Sequence, residues 1–412
     1  MIREYDLIVI GSGAAGMMSA IVSARIGSRV LLLEKLPQIA SKLKATGGGR
    51  CNLTNTLSNE EFIARFGRDG RFMQDALGAF DYKDLVEFFI EIGVETHAPD
   101  GFRIFPTSHN ASTIISALEK EMQRLGVAIL CSQKVEQILQ ENNQIIGVKT
   151  QVQTFYAPNV IVATGGLGYP TLGAEGDGYH LANELGHKIT ELHPAMMPLK
   201  VKEAFVKNCR ADTIAKVEMK VDLPKHKKLR ATGDLIFTNN GIRGPVVLDF
   251  AREITPLLEK YGEVPLLLNL TKGMNEEQIT MHLKNETAKN PHLEIVELVA
   301  TLLPPAISAE LCLLCDINPH AKYKVTEGAK KAKLVQLLAW MPLTVTGHDG
   351  FKMAMITRGG VNLKEINPKT MQSKIVNGLY FCGEVMNLDG PCGGYNLQWS
   401  FSSGALAGKL KS

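Results

Sequence analysis

The chain has 412 residues, 45% hydrophobic and 21% charged, an ordinary globular mixture that excludes a disordered chain, a collagen-like repeat and a membrane protein. At roughly 100 to 200 residues per domain, the length predicts two to four domains. Lys plus Arg number 45 against 42 for Asp plus Glu, a formal charge of +3, which is too small to demand a polyanionic partner.

In chain order, residues 5–10 (YDLIVI) predict a short strand covered on both faces, followed at once by GSGAAG (11–16). An alanine-rich helix over 17–26, closed by Gly27, leads to a second apolar strand at 29–33 that ends at Glu34, which completes a βαβ unit. Apolar spacing over 73–92 and 111–125 predicts two amphipathic helices, the second capped near Asn110 or Ser112. From 127 to 162 short alternating runs with an Asn142-Asn143 turn predict β-hairpins. Strand-like runs broken by Pro and Gly predict an all-β region from about 193 to 270. Helical spacing follows over 275–338, interrupted at Pro304 and Pro305. Strand texture returns near Thr344, and from Gly378 the chain reads strand, glycine loop, helix.

No apolar run approaches the roughly 20 residues that span a bilayer. The first apolar run stops at a glycine loop where a signal peptide would continue, so the expectation is a cytoplasmic protein with no membrane attachment. Seven cysteines scattered over the chain read as thiols, not as a secreted disulfide framework.

GSGAAG sits between a strand and a helix. There its glycines permit a tight turn and close approach of a pyrophosphate to a helix N-terminus, where free N–H groups and the helix dipole favour anions. Glu34, at the end of the next strand, is placed to accept hydrogen bonds from a ribose. FAD and NAD share that ADP half, so later segments must decide between them. Residues 159–163 run into Thr164, Gly165 and Gly166, and a second strand ends at Gly383 and Glu384 ahead of GPCGGYN.

This two-part arrangement resembles the flavin site of the glutathione reductase and fumarate reductase superfamily. KATGGGRCNLTN (44–55), GFRIFP (101–106), FTNNGIRGP (237–245) and LYFCGEVMNLDGPCGGYNLQWSFSSG (379–404) narrow the likeness. Together they resemble the bacterial aminoacetone oxidase or bile-acid dehydro-reductase-like family of NAD(P)/FAD-dependent oxidoreductases, over essentially the whole chain. The resemblance implies an α/β fold: a Rossmann-type FAD domain split in sequence (1–192 and 345–412), an inserted β-barrel-like part (193–272 and 333–344) and a small helical part (273–332). It implies non-covalent FAD held by Gly11, Gly13, Ala14, Ala15, Gly16, Glu34, Lys35, Lys44, Thr46, Gly47, Gly48, Gly49, Arg50, Cys51, Asn52, Val135, Ala163, Thr164, Gly165, Gly166, Gly383, Glu384, Gly393, Gly394, Tyr395, Asn396 and Leu397. The N–H groups at Gly393 and Gly394 would face the flavin pyrimidine carbonyl.

Other candidates read as structure. Cys312 and Cys315 are spaced CxxC, but with no second pair and no His cluster they read as buried thiols. Cys51 and Cys392 read as two packed thiols, His193 as a local hydrogen-bonding residue, and Lys330, Lys331 and Lys333 as a solvated helix face. The expected function is an FAD-dependent oxidoreductase acting on a small organic molecule. It would reduce an activated C=C or a ketone with NAD(P)H as transient donor or, as the alternative, oxidise a small amine with O₂. An RNA-binding or RNA-modifying flavoprotein is the reading of another class. The near-neutral charge weighs against a nucleic-acid partner, the sequence points to no metal and to no particular catalytic acid or base, and it leaves the oligomeric state open.

Overall fold

The computed structural model describes residues 4–410. They form two compact units, one from residues up to Pro194 and from Met355 onward, the other Ala195–Ala354.

In the first unit β1 (Leu7–Ile10), α1 (Ala14–Arg25) and β2 (Val30–Leu33) realise the βαβ expectation. β1 and β2 pair in parallel, Leu7 opposite Val30, and every residue of both strands is buried. Runs of Val, Ile and Leu without alternation suit such strands, because both faces of a parallel sheet are covered. The sheet order is Leu379–Phe381, Asn159–Val162, β1, β2, Ala128–Leu130, all parallel. The chain therefore moves outward in opposite directions from β1, which leaves a crevice beyond the carboxyl ends of the central strands.

The last helix, Tyr395–Gly408, lies on α1 through its smallest residues. A Cβ at Gly404 would stand 2.4 Å from the Ala15 carbonyl oxygen, and Ser23 Oγ donates to the Gly408 carbonyl at 2.8 Å. Only glycine lets the two backbones approach so closely.

The hairpin of Val135–Glu141 and Gln144–Thr150 turns at Asn142 (φ 49) and Asn143 (φ 59), two consecutive positive-φ residues as a type I′ turn requires. Asn110 caps Ala111–Arg124, accepting the Ser112 N–H at 2.9 Å. The helix expected over 73–92 is two helices, Gln74–Ala79 and Tyr82–Glu91. Asp81 divides them by accepting the N–H groups of Lys83 (2.7 Å) and Asp84 (3.2 Å) and starting a new helix.

The second unit contains a closed six-stranded antiparallel barrel in the order Leu199–Val201, Gly241–Arg243, Arg230–Phe237, Thr213–Val221, Val264–Asn269, Met341–His348. It has its own hydrophobic core. The all-β expectation for 193–270 fails at Pro245–Tyr261, a 17-residue helix. Pro245 occupies its first turn, where a missing N–H costs nothing, while Pro256 lies inside and obscures the helical signal. The helices Glu276–Lys289, Ile295–Ala300, Pro305–Leu314 and Gly328–Ala339 follow. The α/β architecture with a barrel and a helical part is thus the expected one. Among the described residues, no helix is long and apolar enough to cross a membrane.

Candidate cofactor site

The first unit holds a cavity at the carboxyl ends of β1, β2, Asn159–Val162 and Leu379–Phe381, lined by the residues that follow each strand. Gly11 turns the chain at φ 99, and a Cβ there would lie 2.7 Å from the Ala163 carbonyl oxygen. At Gly13 a Cβ would meet nothing within 4 Å, so this position opens a space instead of filling a contact. Gly13 caps α1 with no side-chain hydrogen bond, and Ala14 and Ala15, whose N–H groups start the helix, line the cavity. Gly16 serves the turn itself, since a Cβ would fall 1.9 Å from the Gly11 carbonyl oxygen.

Glu34 accepts the Ser12 N–H at 3.1 Å and the Ser12 hydroxyl through one oxygen, and the Leu36 N–H at 2.9 Å through the other. A carboxylate has about four acceptor positions, which leaves capacity for a ribose hydroxyl. Next to it, Lys35 pairs with Asp177 and, at 2.7 Å, with Glu175, while Lys134 reaches Asp177 at 3.1 Å. Burial disfavours the Lys35 ammonium, yet the hydrogen bonds to Asp177 and Glu175 hold its pKa above the usual lysine value. Burial likewise opposes the Asp177 carboxylate, but Lys35 and Lys134 keep its pKa below the usual range. At the next strand end Thr164 Oγ1 is buried with no hydrogen-bond partner, in the cavity wall. Glu384 accepts Lys42 Nζ at 2.7 Å with one oxygen and the Thr357 N–H at 2.9 Å with the other.

Of the expected residues, Gly11, Gly13, Ala14, Ala15, Glu34, Lys35, Thr46, Val135, Ala163, Thr164, Gly165, Gly383, Glu384, Asn396 and Leu397 line this cavity. The others do not. Lys44 is exposed, and Lys42, two positions earlier on the short helix Ser41–Ala45, lines the wall in its stead. Gly47, Gly48 and Gly49 form a left-handed turn beside Arg50, whose exposed guanidinium lies 5.6 Å over the Phe105 ring. Gly166 sits behind the wall, where a Cβ would meet Thr357 Oγ1 at 2.4 Å.

Gly393 and Gly394 are not among the residues lining the cavity, although Asn396 and Leu397 just after them are. With the Asn52 amide oriented to satisfy its neighbours, its oxygen accepts the Gly394 N–H at 3.1 Å and its nitrogen donates to Thr54 O at 3.1 Å. Asn55 Nδ2 donates to the Gly393 carbonyl at 2.9 Å. Tyr395 is buried against Phe62, ring centroids 4.9 Å apart. Cys51 is wholly buried, and burial pushes its thiol up to about 12. Cys312 and Cys315 are also buried, each pushed up to about 11 first of all by burial. No cluster suited to a metal ion occurs among the described residues. His193 Nε2 lies 3.6 Å from the Glu191 carboxylate.

Sequence reasoning missed Ser12, Lys42, Lys134 and Asp177. Ser12 was legible as the residue inside GSG; the other three reach the cavity only through tertiary contacts. The open space at Gly13, the uncapped start of α1 and the spare acceptor capacity of Glu34 fit a dinucleotide with an anionic centre and hydrogen-bonding sugars.

A profile described as the HI0933-like protein Rossmann domain matches residues 5–410. The chain belongs to the HI0933-like family. It is 32% identical over 404 residues to the 3-dehydro-bile acid delta(4,6)-reductase of Clostridium scindens, covering 97% of each chain. It is 29% identical to the ribosomal RNA dihydrouridine synthase of Haemophilus influenzae, covering 98% of this chain and 97% of the relative. Among solved structures, the 3-ketosteroid-delta4-(5alpha)-dehydrogenase of Rhodococcus jostii shares the fold with a TM-score of 0.53 at 16% identity, over 99% of this chain and 96% of that one. This member of the HI0933-like family is an oxidoreductase of the FAD-dependent class.

Proposed function

We propose that the protein is a cytoplasmic reductase that saturates a C=C bond conjugated to a carbonyl in a small organic substrate, with NAD(P)H as donor. The observation that carries this reading is the dinucleotide cradle at the sheet's carboxyl edge in a chain 32% identical to a reductase of 3-dehydro-bile acids. Bound there, FAD would supply two-electron chemistry, with hydride passing through N5. Residues 11–15 and the start of α1 would hold its pyrophosphate, Glu34 its adenosine ribose, and Thr164, Glu384 and the backbone at Asn396 and Leu397 the remainder. These groups bind and orient; hydride would add to the carbon β to the carbonyl and the α carbon would take its proton from water, since none of these groups is assigned as an acid.

A second reading shares the chemistry. Relatives named ribosomal RNA dihydrouridine synthase point to reduction of the pyrimidine C=C of uridine, also conjugated to a carbonyl, within an RNA. A small-molecule substrate is preferred because the chain carries a charge of only +3.

Residues 190–345 contain no second GxGxxG between strand and helix, so donor and acceptor would take turns at one face of the cofactor. The test is anaerobic mixing of the holoprotein with NADH and NADPH, followed by initial rates with a conjugated 3-oxo steroid and with uridine-containing RNA. Flavin bleaching by a nicotinamide and parallel double-reciprocal lines with the steroid support the proposal. Intersecting lines would show a separate donor site. Turnover of RNA alone would move the second reading ahead, and a flavin that neither nicotinamide reduces but an amine does would favour an amine oxidase.

A further inference from the structure

The wall of the cavity between Glu34 and Leu43 is one continuous stretch of chain, and seven of its ten residues, 34–36 and 40–43, line the space. It leaves β2 and crosses an exposed turn at Pro37 and Gln38. Leu36 rests against Gly173, where a Cβ would stand 2.9 Å from Leu36 Cδ1. The stretch then returns through Ala40, whose N–H donates to Ser12 Oγ at 3.1 Å.

At each end a lysine reaches a carboxylate from another part of the wall. Lys35 meets Asp177 and Glu175, about 140 residues away in sequence, and Lys42 meets Glu384, 342 residues away. The inner partners are largely shielded: side-chain exposure is 16% for Lys35, 18% for Asp177, 26% for Lys42 and 18% for Glu384. Pairs so placed are only partly shielded from solvent, so concentrated salt still weakens them. Lys42 also fixes one oxygen of Glu384 while the Thr357 N–H fixes the other, so the carboxylate is held in a single orientation.

We infer that residues 34–43 form a strap that retains the cofactor, clasped at one end by Lys35 on Asp177 and Glu175 and at the other by Lys42 on Glu384. This rests on the cofactor assignment made above. Lys35 and Lys42 are positioning residues that act through the carboxylates they hold. Release of FAD requires the strap to lift, and lifting it separates partly buried opposite charges.

The experiment is the rate at which the purified holoprotein releases FAD on dilution, followed by the rise in flavin fluorescence, at low salt and at about 1 M NaCl, where the Debye length is about 3 Å. Lys42→Met and Lys35→Met should each release FAD about tenfold faster, the scale of one charge-assisted hydrogen bond. Lys42→Arg should restore slow release. Salt should accelerate release from the wild type more than from the double Met variant. A double variant within about twofold of wild type, or salt acceleration equal in both, overturns the strap. So does faster release that is matched by an equal fall in apoprotein unfolding midpoint and is not corrected by Lys42→Arg. If the Met variants do not fold, Asp177→Asn and the wild-type salt series read the same clasp. A wild-type protein that carries no FAD and takes none up overturns the cofactor assignment instead.

Discussion

Ser12 Oγ stands between the Glu34 carboxylate, to which it donates, and the Ala40 N–H, which it accepts at 3.1 Å. One buried hydroxyl thus ties the glycine turn after β1 to the acidic end of β2 and to the wall beyond it. Ser12→Ala leaves the Ala40 N–H without its partner, and an unsatisfied buried donor costs about 1–3 kcal/mol. The expected outcome is a loss of that size in urea unfolding of the apoprotein. An unchanged midpoint would show that water replaces the hydroxyl.

Glu34→Ala should weaken FAD binding by about 1–3 kcal/mol through loss of charged hydrogen bonds to the ribose. Titration of apoprotein with FAD, followed by quenching of flavin fluorescence, measures it. Unchanged affinity removes Glu34 from the site.

Two glycines should respond in opposite ways. Gly13 has φ −70 and open space at its Cβ position, so Gly13→Ala should leave unfolding of the apoprotein unaltered while the methyl obstructs the cradle and weakens FAD binding. Gly394 has φ 86, and a Cβ there would lie 2.6 Å from the Thr54 carbonyl carbon and oxygen. Gly394→Ala should therefore destabilise the apoprotein, by about 1–3 kcal/mol from the left-handed backbone alone. Equal stability of the two variants would contradict this assignment of roles.

His187 is buried, with Nε2 2.9 Å from Ser373 Oγ and Nδ1 3.3 Å from Glu365. Burial lowers its pKa below the ordinary 6.5, outweighing the attraction of Glu365. In the window below 6.5 the unfolded chain takes up a proton that the folded chain refuses, so stability is full above that pH and declines as pH falls toward the folded value. Unfolding free energies measured between about pH 7.5 and 5.5 should fall, and His187→Asn should flatten the slope across this interval. A slope that survives the substitution would place the titrating group elsewhere.

Brief alkylation of the native protein near neutral pH should mark Cys131 and Cys392, which are half-buried, and spare Cys51, Cys209, Cys312, Cys315 and Cys382, which are buried. Peptide mass spectrometry reads the pattern. Rapid labelling of Cys51 would contradict its packed position and its thiol pKa of about 12.

The βαβ unit was legible because its signals are local: a doubly buried strand, a glycine turn and a helix follow one another within Leu7–Leu33. The Asn142-Asn143 turn and the Asn110 cap were legible for the same reason. The helix Pro245–Tyr261 was not, since Pro256 hides the period that its buried Val246, Phe250, Ile254 and Leu257 carry. Lys42 and Lys44 are indistinguishable in a lysine-rich stretch until the turn of a five-residue helix turns one toward the wall and leaves the other in solvent. Asn52 and Gly394 carry a glycine-loop signature, and they are hydrogen-bonded to each other. Composition alone does not separate a backbone that approaches a ligand from one that approaches another backbone.

The contact of Gly404 and Gly408 with α1 joins the last helix of the chain to the first. Gly383, Glu384, Asn396 and Leu397 complete a cavity that opens with Gly11. A chain still being synthesised therefore presents the glycine turn and Glu34 long before the opposite wall exists. Translation that stops before Leu379 would leave the parallel sheet without its edge strand and the cavity without its far wall.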